Sequence, residues 1–127
     1  MPALEPVEAV RVVASPAALD AARWEGNDVD VLRIAPDEAL GLGATGVAVD
    51  GDPDAIIEPE AGFVAALLDP AELAALAAHA EWRLPDDADT LAQGKIAGVP
   101  AKLLGGDPGL LVVQAAYAVE LSRRLGW

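Results

Sequence analysis

The sequence predicts an α+β fold, a mostly antiparallel sheet packed with about three helices in a single pair of layers, within one domain over residues 1–127. Three observations carry this expectation. Aliphatic and β-branched runs recur between Gly, Asp and Pro clusters, the pattern of short antiparallel strands. Asp69-Pro70-Ala71-Glu72 is a complete helix start placed ahead of an apolar stripe. The segment from Leu91 onwards reads as a strand interrupted at Gly98 and Pro100, a Gly105-Gly106-Asp107-Pro108-Gly109 turn, and a second strand, Leu110 to Val113, pairing back on the first. A closing amphipathic helix follows.

Taken in order, Val7 to Val13 is the first strand. Ser15 then caps a short helix that has Pro16 at its first position and runs to about Arg23. Trp24 precedes Glu25-Gly26-Asn27-Asp28, a stop-and-turn cluster. Val29 to Ile34 is a strand with apolar character on both faces. Pro36-Asp37-Glu38 turns the chain into Ala39 to Gly43, where Leu alternates with Gly as in a strand over which another backbone passes closely. Ala44 to Asp54 reads as a loop. Its Asp50-Gly51-Asp52-Pro53-Asp54 places three carboxylates at alternating positions, but a calcium loop begun at Asp50 would need Gly where Ala55 stands and Glu where Ala61 stands, so a solvated acidic turn is expected.

Ala55 to Ile57 and Gly62 to Leu68 are expected as two strands separated by Glu58-Pro59-Glu60. The second is apolar on both faces, so its own helices or another chain must cover both. Asp69 caps the next helix, with Pro70 at its first position and Glu72 at its third; Leu73, Leu76, Ala77 and Ala80 form its inward stripe. Glu81 to Pro85 leads out into a polar loop over 86–89. The last helix, Ala115 to Leu125, gathers Tyr117, Ala118, Leu121 and Leu125 within an arc of about 100°. Arg123 and Arg124 sit where its dipole favours cations.

Composition limits the function classes. The chain's length allows burial of roughly two thirds of the unfolded surface around one core, made largely from Ala, Val and Leu because Phe and Tyr occur once each. With 21 acidic against 8 basic residues the formal charge is −13, which repels nucleic acid and anionic membrane surfaces. There is no cysteine, hence no disulfide framework, thiolate nucleophile or Cys-held metal. The N-terminus carries neither a basic region nor an apolar stretch of signal type, and no apolar run reaches the ~20 residues of a membrane span, so a cytoplasmic protein is expected.

Catalytic chemistry finds little footing. His79, the single histidine, is the candidate general base, with Glu58, Glu60 or Glu81 as carboxylate partners, yet no nucleophile pairs with it in sequence and a helix C-terminus suits any imidazole. The chain is read as having no Gly-x-Gly-x-x-Gly dinucleotide fingerprint, no Walker loop and no metal-ligand cluster. No catalytic, cofactor-binding or metal site is therefore expected, and no cofactor. The apolar groups that stand out are Phe63, Trp82, Val119 and Trp127, candidate interface positions at element ends and on the outer helix face.

Three stretches go further. Arg33-Ile34-Ala35-Pro36-Asp37-Glu38-Ala39-Leu40, then Gln93 to Leu104 with Val99-Pro100, then Leu110 to Leu125 with Tyr117-Ala118 resemble, in order and spacing over residues 29–127, the gamma subunit family of heterotetrameric sarcosine oxidase. That family is similar to part of the folate-binding fold of the glycine-cleavage T-protein, an aminomethyltransferase. The chain departs at Ala39, where the family carries Trp, and at Glu58 to Phe63, where it carries Asp-Val-Ser followed by Arg. The resemblance implies a non-catalytic accessory subunit, with flavin, nicotinamide and folate chemistry on the larger chains and this chain packing on the folate-binding part of one of them. Its partner would be that larger oxidase-like subunit, or a second copy by self-association. The alternative is a stand-alone domain binding folate or another one-carbon metabolite.

Overall fold

The structure, a computed structural model, describes residues 2–85 and 87–127; Asp86, at the head of the loop expected over 86–89, lies outside them. It contains β1 (Glu5–Val13), α1 (Pro16–Asp20), β2 (Arg23–Ala35), β3 (Glu38–Ala48), β4 (Ile56–Leu68), α2 (Pro70–Leu76), β5 (Leu91–Ile96), β6 (Val99–Leu104), β7 (Gly109–Gln114) and α3 (Ala118–Leu125). The strand pairs are antiparallel, so the α+β class expected from sequence holds. Among the described residues no helix is long and apolar enough to cross a membrane. The chain forms two compact units, Val7–Ala61 and Gly62–Trp127 with the residues up to Pro6. Each has its own cluster of buried side chains, where composition alone suggests one core.

In Val7–Ala61 the strands follow the order β2-β3-β1-β4. Val10, Val12 and Ala14 of the first strand meet Ala18 and Leu19 of α1 and Ala39 and Ala44 of β3. The Ser15 hydroxyl accepts from Ala18 N at 3.3 Å and starts α1, which ends at Asp20, short of the Arg23 expected. Arg33 donates to Asp20 at 2.8 Å and to the carbonyls of Pro16 and Pro36, tying α1 to the β2–β3 turn.

Three sequence expectations are corrected here. Glu25 to Asp28 is not a turn between the first helix and the second strand; it lies inside β2 as an irregular bulge, Gly26 pairing with Ala44 and Asp30 with Leu42, with Gly26 and Asp28 at positive φ. Turn-forming residues and bulge-forming residues share the same backbone freedom, which is why the sequence reads as a turn. Ala44 to Ala48 continues β3 rather than opening a loop. Glu58-Pro59-Glu60 does not separate two strands: β4 runs through it, and β7 pairs only with Phe63 to Leu68, so Pro59 lies outside that ladder.

In Gly62–Trp127 the order is β4-β7-β6-β5. Val64, Ala66 and Leu68 point to one face, where Ile96, Leu103, Leu111 and Val113 pack beneath Leu76 of α2 and Leu121 of α3. Residues 91–104 are a hairpin rather than one interrupted strand: Ala97 and Gly98, both at positive φ, make a two-residue turn between Ile96 and Val99. Such turns usually announce themselves with Asn-Gly or Asp-Gly, and Ala in the first place hides this one. β7 pairs back on β6 as expected, Leu103 facing Leu111.

Asp69 caps α2 with its carboxylate accepting from Glu72 N at 2.7 Å, while the Glu72 side chain accepts from Asp69 N at 2.9 Å, a full capping box. The chain then tightens into a 3-10 turn at Ala77–His79, and the last helix likewise begins with a 3-10 turn at Ala115–Tyr117. Three residues per turn shift the phase of a stripe drawn at 3.6. Ala77 and Tyr117 are accordingly exposed, not inward, whereas Leu76 and Leu121 are buried.

Candidate functional site

The four candidate interface residues all belong to Gly62–Trp127, in different settings. Phe63 is half-buried on the strand face opposite Val64, with Lys102 Nζ 5.6 Å from its ring centre. Ala65 and Leu67 alternate with it onto that face, and Leu67 is 63% exposed. The two-sided apolar run is thus covered closely on one side only. Val119 is 72% exposed on α3, and Trp127 is half-buried against the core cluster beside Leu4. These two line one shallow cleft of about 380 Å³ with Ala118, Ser122 and Arg123.

Trp82 has an intrachain task. Its Nε1 donates to the carbonyl of Lys95 at 2.9 Å on the outer strand β5, and its ring lies so close over Gly94 that a Cβ there would come within 2.7 Å of Cε2. The indole covers a sheet edge that would otherwise offer its backbone to another strand. Its ring also helps to form a groove of about 540 Å³. One wall is the outward side of α2, from Pro70, Leu73, Ala74 and Ala77; the other is Trp82, Leu84 and Pro85. Arg83 and Asp107 are the charged residues at its margin.

His79 is exposed at the end of its 3-10 turn, where its carbonyl accepts from Ala97 N at 2.7 Å. Its imidazole makes no hydrogen bond among the described residues, and it lines a cleft of about 150 Å³ with Glu72, Leu125 and Trp127. Glu58 and Glu60 belong to the other unit, where Glu58 is 3.6 Å from Arg11. Arg11 also donates to Glu38 at 2.6 Å. That hydrogen bond and charge, with the charges of Glu58 and Glu60 adding to them against partial desolvation, hold the guanidinium pKa above its already high value. The arrangement is an ion-pair group on a strand surface.

The acidic turn is likewise engaged. Asp50 accepts from Arg23 at 2.8 Å, and Asp52 accepts from the backbone N–H groups of Ser15 and Asp54 at 2.9 Å each, fastening the turn to the start of α1. No three metal-ligating side chains converge among the described residues.

Two features escape the sequence reading. Gly41-Leu42-Gly43-Ala44-Thr45-Gly46 has the Gly-x-Gly-x-x-Gly spacing of a dinucleotide fingerprint, so the expectation that the chain lacks this pattern is corrected. It lies inside β3 and leads on to β4 rather than opening a helix, so the helix N-terminus that would hold a pyrophosphate does not follow it. The close approach expected over these glycines is real, but it is made by a side chain: the Trp24 ring occupies the place of a Cβ on Gly41. The second feature is the exposed Leu67, for which the apolar run Phe63 to Leu68 was the signal.

The sequence matches no protein-family profile and no curated protein. Among solved structures, a chain of the heterotetrameric sarcosine oxidase from Corynebacterium sp. U-96 is similar with a TM-score of 0.74 at 16% sequence identity, covering 98% of this chain and 81% of that one. At that identity the likeness concerns the fold, and it extends over nearly all of the chain: this protein has the fold of a sarcosine oxidase chain.

Proposed function

We propose that the chain is a non-catalytic accessory subunit of a sarcosine-oxidase-like flavoenzyme complex, packing on the folate-binding part of a larger subunit in the cytoplasm. One observation carries the reading: the fold of a chain from a heterotetrameric oxidase is reproduced over 98% of this one. The apolar groups left in solvent support it. Leu67 and Val119 project from a strand and a helix whose opposite faces are fully packed, an arrangement that suits burial against another protein. Phe63, Trp82, Val119 and Trp127 are the positions assigned to contact.

The experiment is a gentle affinity purification of the tagged chain from its native host, with the stoichiometric partners identified by mass and by flavin absorbance. A large flavin-containing chain recovered at equal stoichiometry is the expected result. Recovery of the chain alone under every condition would overturn the proposal. If folate then raised the melting temperature by several degrees, the reading would pass to a stand-alone folate or one-carbon metabolite binder.

A further inference from the structure

We infer that the groove between α2 and Trp82 is a binding site for a small amphipathic monoanion: a flat apolar body lying along the walls, with one carboxylate held by Arg83. This goes beyond the subunit proposal and does not depend on it. The space, about 540 Å³, falls within the ~300–1,000 Å³ of small-molecule sites, and its walls are mainly aliphatic and aromatic. Small side chains create the room, since Ala74 and Ala77 stand on the α2 wall where larger residues would fill it.

The walls are fixed before any ligand arrives. α2 is set by its capping box. The indole is pinned by the Lys95 carbonyl and the flat surface of Gly94. The Asp87 carbonyl stands where a Cβ on Gly105 would be, and Gly105 N donates to the Thr90 carbonyl at 2.9 Å. A groove whose walls are already ordered costs a ligand little reorganisation.

Charge selects the occupant. Of the 8 basic residues, Arg11, Arg23, Arg33, Arg123 and Arg124 pair with carboxylates and Lys102 lies over Phe63. Arg83 and Lys95 lack such a partner among the described residues, and of these two Arg83 lines the groove. In a chain of charge −13, a guanidinium with no carboxylate partner among the described residues can take one from a ligand, with the fork geometry that suits it. Asp107 at the same margin and the overall negative field oppose a second anionic group, which restricts the class to monoanions.

Isothermal titration of the full chain with 2-naphthoate and with neutral 2-naphthalenemethanol tests this. Naphthoate should bind saturably at one site, about tenfold or more tighter than the alcohol, the effect of one charge-assisted pair. Arg83→Gln should reduce naphthoate to the level of the alcohol and leave the alcohol unchanged, while Asp107→Asn should tighten naphthoate a few-fold. Ala74→Trp should abolish binding of both with the circular dichroism spectrum intact; if that variant fails to fold, Ala77→Trp replaces it. Equal affinities in the wild type, no binding of either probe, naphthoate affinity retained in Arg83→Gln, or binding that survives both filling variants would each overturn the assignment. None of these results bears on whether a flavoprotein co-purifies, so the two proposals fail separately.

Discussion

The two units each lay a tryptophan over a glycine, Trp24 on Gly41 in Val7–Ala61 and Trp82 on Gly94 in Gly62–Trp127, yet they are built differently around that contact. Val7–Ala61 gathers Ala, Val and a single Leu in its cluster around α1, with Leu32, Leu40 and Leu42 buried outside that cluster, and its long strands carry ion pairs on their surface, Arg11 with Glu38, Arg23 with Asp50 and Arg33 with Asp20. Gly62–Trp127 fully buries Leu68, Ile96, Leu103, Leu111 and Leu121 beneath two helices. The cluster around α1 therefore depends on close steric fit between small groups, and the cluster beneath α2 and α3 on the transfer of large side chains out of water.

The largest effect should separate them by volume. Leu121→Ala removes a side chain of 0% exposure from beneath α3 and should cost about 3–4 kcal/mol in urea unfolding. Leu19→Ala, on the five-residue α1, should cost nearer to ~2 kcal/mol, because so short a helix can settle into the space. Equal losses would remove the distinction between the two cores.

The next pair tests the shared contact. Gly41→Ala puts a methyl where the Trp24 ring lies, in a unit that relies on fit, and should destabilise by about 1–3 kcal/mol. Gly94→Ala meets an indole at a sheet edge that can lift away, at the loss of the hydrogen bond to Lys95, and should cost only about 1 kcal/mol. Urea midpoints read both, and fluorescence should show a red shift from the displaced indole in Gly94→Ala. A larger cost at Gly94 would mean that Trp82 is as rigidly held as Trp24.

Helix starts give a smaller contrast. Asp69→Ala breaks a reciprocal capping box and should cost about 1 kcal/mol, against about 0.5 kcal/mol for Ser15→Ala, whose single bond is long at 3.3 Å. Both caps were legible in the sequence, because capping is a local exchange between neighbouring residues. Strand pairing β6 with β7 was legible for the same reason, a Gly/Asp/Pro turn joining two aliphatic runs. What stayed hidden depends on partners distant in sequence: the bulge at Gly26 to Asp28 is defined only against β3, the part of β4 that holds Pro59 lies outside its ladder with β7, and the Gly41 contact needs Trp24. The groove was hidden too, since its walls come from α2, residues 82–85 with Ala88, and the β6–β7 turn, and no one of these segments carries a motif.

The smallest effect on stability should be the most informative about function. Val119 is 72% exposed in the first turn of α3, where an added carboxylate faces a favourable helix dipole, so Val119→Asp should change stability by no more than about 0.5 kcal/mol and the melting temperature by about 2 °C. A charge at the centre of a protein interface, by contrast, must be desolvated without a partner, which should lower recovery of a co-purifying flavoprotein at least about tenfold. Stability retained with the complex lost would place the outer side of α3 in the interface, together with the Trp127 that shares its cleft. A complex unaffected by Val119→Asp would move the contact to another of the exposed apolar positions, and Leu67→Asp, at 63% exposure on β4 the next most exposed large apolar side chain among the described residues, is then the substitution expected to break it.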